Sequence, residues 1–185
     1  MPFILKGAAL ACAALFPLLA AAHSGHGHAG NDAHSAHHDQ AAAHGHSAGQ
    51  RVFPDPAGAT PPQGVTLHDC WIRALPNRLP AAGYFRLENT GEHDAVLIGA
   101  QAEGFDSVML HTHQTVGGLS SMVHVDKVVV PASGTFEFAP GGHHLMLEKP
   151  TIDLKVGTQH PVVLWFEGER AISAACDVKP PGTLK

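Results

Sequence analysis

From residue 64 to residue 178 no stretch sustains the 3.6-residue apolar period of a helix, and this constrains the fold more than any other feature. Short apolar runs alternate instead with Gly, Pro and Asn breaks at near-regular intervals. The runs predict strands over 65–74, 83–89, 95–100, 107–113, 121–126, 128–130, 134–138, 144–148, 161–166 and 171–178. Many short strands of even spacing imply an all-β fold, an antiparallel β-sandwich or barrel. Trp71, Tyr84, Phe85, Phe138, Leu164 and Phe166 are the expected core.

Upstream the sequence changes character. Residues 1–22 read as a secretory signal peptide: Lys6 gives a positive start, 7–19 is apolar but short for a membrane span, and Ala20-Ala21-Ala22 fits a cleavage site. Cleavage there leaves His23 first and places the mature chain in the periplasm, with no membrane segment. A lipoprotein reading through Cys12 is weaker, because Ala9 stands where a larger aliphatic residue is usual. Residues 23–63 are low-complexity and end in a Pro-rich linker. A chain so poor in large apolar residues cannot offset its entropy by burial and is expected to be disordered. Eight histidines between His23 and His46 make it a tail suited to gathering Cu(II) or Zn²⁺. One folded domain, 64–180, follows.

The whole chain carries a formal net charge of -5, so it offers no basic face for nucleic acid. Cys70 and Cys176 fall in the first and last predicted strands. Two readings of this pair stay open: a disulfide in an oxidising compartment, or two small buried side chains.

Sixteen histidines are far above ordinary usage, and imidazole is the commonest metal-binding side chain. Beyond the signal there are only three methionines, Met109, Met122 and Met146, each within two residues of a histidine. Thioether and imidazole together favour Cu(I); hard cations want oxygen. Residues two apart on a strand share a face, which groups Met109, His111 and His113, and separately His144 and Met146. Gly117-Gly118 marks a hairpin. An even-length loop there puts Met122 on the same face as His111, and a bulge would break that relation. His113, His124 and His143 read as neighbours of ligands, Met109 as core packing, and His68, His93 and His160 as surface residues.

The set His111, Met122, His144, Met146 has the spacing His-x10-Met-x21-His-x-Met. This resembles the periplasmic copper chaperone family PCuAC, which serves the Cu(A) centre of cytochrome c oxidase. Asp69-Cys70-Trp71-Ile72-Arg73-Ala74, Ala82-Gly83-Tyr84-Phe85, Glu88-Asn89-Thr90-Gly91, Pro140-Gly141-Gly142-His143-His144-Leu145-Met146-Leu147 and Leu164-Trp165-Phe166-Glu167 are similar to its segments. The resemblance implies a cupredoxin-like, Greek-key sandwich, those four residues as Cu(I) ligands, and no catalytic group. It implies delivery to a cytochrome c oxidase subunit or another copper-accepting assembly protein. The tail and the cysteine pair depart from the family pattern.

Three rivals are weaker. A blue-copper site needs a Cys ligand with clustered His and Met, and no His or Met follows Cys176. A copper enzyme built on His23 lacks a rigid frame. A copper or zinc store without a specific recipient is the serious alternative, because the tail suits buffering.

Overall fold

The computed structural model describes residues 51–76 and 78–185, and these lie in one compact unit. The expected signal segment and the His-rich tail as far as residue 50 lie outside the described residues. A 3-10 turn at Pro56–Gly58 precedes ten strands: β1 (Val65–Arg73), β2 (Ala81–Asn89), β3 (Ala95–Ala102), β4 (Phe105–Val116), β5 (Leu119–His124), β6 (Val128–Val130), β7 (Gly134–Phe138), β8 (His144–Pro150), β9 (Gln159–Phe166) and β10 (Arg170–Lys179). Each predicted segment is a strand, and β4 runs on past His113 into its hairpin.

Hydrogen bonds join the strands in the order β5-β4-β8-β2-β1-β10-β9-β3-β6. β2 pairs β8 through Ala81–Gly83 and β7 through Phe85–Asn89. Every pair is antiparallel except β1 with β10, which run parallel with Trp71 opposite Asp177. The path curls over, so that β3 lies against β4, and β6 against β2 and β7, without a ladder between them. The two wings form the sandwich. Phe85, Leu87, Leu110, Leu145 and Leu147 meet Leu97, Val162, Leu164 and Phe166 between them. Each such side chain contributes about 1.5–3 kcal/mol on burial.

Strand alternation then fixes what faces outward. With Leu110, Leu145 and Leu147 inside, their neighbours Met109, His111, His144 and Met146 must point away from the core. The β1 strand needs a correction of register to do the same. Its pairing with β2 slips between His68 and Trp71, where Asp69 takes a left-handed φ of 54°. This bulge moves the inward series from Val65 and Leu67 to Cys70 and Ile72. Trp71 is thereby turned to the outer face, where it packs against Tyr84 with ring centroids 4.4 Å apart and the planes tilted by 36°. Both are buried, but they sit outside the main core cluster that the sequence assigned them to.

The cysteine question is resolved by the same bulge: Cys70 bonds Cys176 and ties β1 to β10. Closing a loop of this size contributes about 4–5 kcal/mol in the chain-entropy model.

The boundary expected at Gly64 also moves. Residues 51–63, read as the end of a disordered linker, pack on the sandwich. Phe53 stacks on Trp165 at 5.5 Å with parallel rings. A Cβ on Gly99 would lie 2.5 Å from the Phe53 ring, so any larger residue there must displace that ring. Ala171 donates its N–H to the Thr60 carbonyl at 3.1 Å. Phe53 and the Thr60 carbonyl are two points at which this segment meets the sandwich.

Candidate metal centre

The outer face of β5, β4 and β8 gathers Met109, Met122 and Met146 with His111, His113, His124 and His144. The β4–β5 hairpin closes through Gly117 and Gly118, with Val116 opposite Leu119. Both glycines have positive φ, 60° and 83°, as a two-residue primed turn requires. The loop is therefore even, and His111 and Met122 share a face. Met122 stands directly opposite His113, two pairs along the ladder from His111. On the other side of β4, His111 faces His144 and Met109 faces Met146.

His111 is thus the centre of the patch. His124 and His144 flank it in one cross-strand row, with ring centroids at 5.8 Å and 5.9 Å. Met122 and Met146 lie at opposite diagonals of His111. Diagonal neighbours on a sheet are about 7–8 Å apart, within reach of long side chains. An ion held by both sulfurs would sit above His111 with the two thioethers reaching inward. β5 is an edge strand, and Met122 is 52% exposed, so the hairpin side has room to move.

His144 is the anchored member, with 3% exposure. Its Nδ1 lies 3.1 Å from the Gly142 carbonyl. A carbonyl only accepts, so Nδ1 carries the proton and Nε2 keeps a free lone pair. The glycine turn that precedes β8 therefore presets the tautomer a metal needs. His111 has a buried Nδ1 with no hydrogen-bond partner. Burial lowers the His111 pKa, and the nearby His144 and His124 lower it further. Burial also lowers that of His144; the bond to Gly142 opposes this, and His113, Arg73 and His143 add to the lowering. Both rings are therefore neutral at neutral pH and could take an ion without first losing a proton.

Beyond His144 the face continues as a packed wall. Tyr84 lies 6.4 Å from His144. Arg73 stands over Tyr84 at 5.2 Å and Lys179 over Trp71 at 4.9 Å.

The structure thus brings all four sequence-selected residues to one face, in adjacent strands. It adds three residues that the sequence gave lesser roles. Met109 is half-buried on the outer face, opposite Met146, and is not core packing. His113 and His124 join the imidazole patch, His113 with its ring 5.2 Å from His144. Strand parity was the signal for His113, and the hairpin register for His124. His143 turns away and packs edge-on against Phe136 at 5.0 Å. His160, expected at the surface, is buried, with Nε2 2.9 Å from the Glu103 carbonyl. Its burial follows from the inward turn of β9 against Phe105. Among the described residues, no three His, Cys, Asp or Glu side chains already converge on one point as a metal cage.

Fold and face together define the class: a cupredoxin-like β-sandwich of the PCuAC type, open on one side. Solved PCuAC domains share the architecture. The apo PCuAC domain of PmoF2 superposes with a TM-score of 0.55 at 24% identity, over 65% of this chain and 94% of that one. DR1885 from Deinococcus radiodurans, solved in solution as CuI-DR1885, gives 0.53 at 30% identity, over 67% of this chain and 83% of that one. A relative in Leifsonia xyli subsp. xyli, named "Putative lipoprotein Lxx21020", is 31% identical over 129 residues, 67% of this chain and 77% of its own length. The LpqE-like family, described as "Putative lipoprotein LpqE-like", matches residues 65–178. The chain belongs to this family, that of the PCuAC copper chaperones.

Proposed function

We propose that this protein is an exported Cu(I) chaperone that binds one ion through His111, Met122, His144 and Met146 and passes it to another protein. One observation carries the reading: a neutral His144, its tautomer set by Gly142, faces His111 across a ladder, with thioethers at both diagonals. Two thioethers and two imidazoles favour Cu(I) and contribute no negative charge. Thiolates would bind more tightly but oxidise readily outside the cytoplasm. That DR1885 was solved with Cu(I) supports the choice of ion.

No group on the face is asked to do covalent chemistry. Transfer is ligand exchange: a partner's sulfur enters at the exposed Met122 side, and the protein ligands leave in turn, the anchored His144 last. The recipient proposed is a subunit of cytochrome c oxidase or another copper-accepting assembly protein. Export follows from the 1–22 segment, whether cleaved after Ala22 or retained through a lipid on Cys12. The eight tail histidines would gather Cu(II) or Zn²⁺. The same tail favours a second reading, a copper or zinc store with no dedicated recipient.

A Cu(I) competition titration tests the site. The chain from His23 and a chain beginning at Arg51 should each retain one tightly held Cu(I), and the joint Met122→Ala, Met146→Ala variant should lose it. Retention in that variant contradicts the assignment. Mixing the loaded protein with an apo oxidase fragment separates chaperone from store. Transfer faster than loss to a chelator marks a chaperone; transfer no faster marks a store.

A further inference from the structure

The imidazole row has more members than a two-histidine Cu(I) site uses. His124, His111 and His144 lie side by side on three strands, and His113 stands next to His144. Ring centroids are separated by 5.8 Å, 5.9 Å and 5.2 Å for the pairs His111–His124, His111–His144 and His113–His144. A metal bonded to a ring nitrogen at about 2.0–2.1 Å lies about 3.2 Å from that ring's centroid. Two imidazoles on one ion then have centroids about 4.5–6.4 Å apart for bond angles between 90° and 180°. All three separations already fall in that window. His124 and His144, which flank His111 from strands two apart, must also close to this window by rotation about their side-chain torsions, as must His113 toward His111 and His124.

Nitrogen availability agrees with this. Nε2 of His144 is free because Nδ1 is held by Gly142. Nδ1 of His111 is buried and unpartnered. Nε2 of His124 lies 3.3 Å from Asp126 Oδ1. That is an ion-pair distance, and it puts the carboxylate beside Nε2 and leaves Nδ1 of His124 as the nitrogen for an ion. His113 holds Nδ1 3.4 Å from the Gly142 carbonyl, which leaves its Nε2 for the ion.

We propose that His124 and His113 complete, with His111 and His144, a second, all-imidazole donor set on the same face, which binds Cu(II). His111 and His144 are common to both sets. The thioethers of Met122 and Met146 join them for Cu(I), and the imidazoles of His124 and His113 join them for Cu(II). Nitrogen sets of this kind favour Cu(II) over the other divalent first-row ions. Each oxidation state is bound as supplied, and no electron transfer on the protein is involved. This inference rests on the reading of His111 and His144 as copper ligands.

The test loads Cu(II) and Cu(I) separately on residues 51–185, which hold the whole described core and exclude the tail histidines. Electron paramagnetic resonance of the Cu(II) form should show coupling to at least three nitrogens, with one ion per chain. The joint His113→Asn, His124→Asn variant should weaken Cu(II) about tenfold or more and lower the nitrogen count, while Cu(I) affinity changes by less than about threefold. The joint Met122→Leu, Met146→Leu variant should do the reverse, losing Cu(I) and keeping the Cu(II) spectrum. An unchanged Cu(II) spectrum and affinity in the His113→Asn, His124→Asn variant overturns the proposal. The Cu(I) result with the methionine pair judges the chaperone reading by itself, so the two can fail independently. Circular dichroism confirms that each variant is folded, and His124→Gln alone, on the exposed edge strand, gives the same Cu(II) readout with the least disturbance.

Discussion

His144 does two jobs that a surface histidine cannot. It is buried, and its ring is held by the Gly142 carbonyl in one tautomer. Burial also sets a pH dependence. The pKa values of His111 and His144 are lowered in the folded state, so the unfolded chain takes up protons first as pH falls. Stability is then full above the ordinary histidine value of about 6.5 and is lost as pH drops through it toward the lowered folded values. The melting temperature of the apo protein should fall over that range, and much less so in a His111→Asn, His144→Asn variant. The methionines divide differently. Met122 is 52% exposed and Met146 half-buried. Met122→Ala should leave unfolding in urea almost unchanged, whereas Met146→Ala should cost about 1–2 kcal/mol, below the range for fully buried residues. Both should weaken Cu(I). Equal stability losses at the two positions would contradict the placement. At this scale the sequence was most informative about donor types and least about burial: nothing in the pattern around His160 showed that Glu103 would cap it.

At the scale of elements, the β4–β5 hairpin is the moving part and β8 the fixed one. β8 pairs with β2 and β4, while β5 pairs with β4 alone. Bringing Met122 and Met146 onto one ion therefore draws in the edge strand. Amide hydrogen exchange in residues 112–124 should slow on Cu(I) binding, while exchange in β8, already protected, changes little. No slowing in the hairpin would mean that Met122 does not reach the ion. The parity of this hairpin was legible in the sequence because Gly117-Gly118 names a two-residue turn. The β1 bulge was not. It rests on Asp69, a residue that tolerates left-handed φ but does not announce it, and the alternation in β1 only makes sense once the slip is known. That slip is why Trp71 joins Tyr84 on the site's face and not in the core.

For the whole molecule, the sequence disclosed the ten strands but not their long-range partners. The parallel β1–β10 pair joins the two ends of the fold, and no local signal encodes it. Its disulfide does the same covalently, across 106 residues. A Cys70→Ser, Cys176→Ser variant should unfold at markedly lower denaturant, in line with the about 4–5 kcal/mol expected for so long a loop. It should still bind one Cu(I) at low temperature, because neither sulfur lies on the donor face.

The proposed function stands or falls on two imidazoles and two thioethers holding one Cu(I). X-ray absorption at the copper edge of the Cu(I)-loaded protein reads the donors directly. Two nitrogen and two sulfur scatterers are expected, and no Cu(I) should be retained in the Met122→Ala, Met146→Ala variant. A first shell of nitrogen alone in the unaltered protein would contradict it.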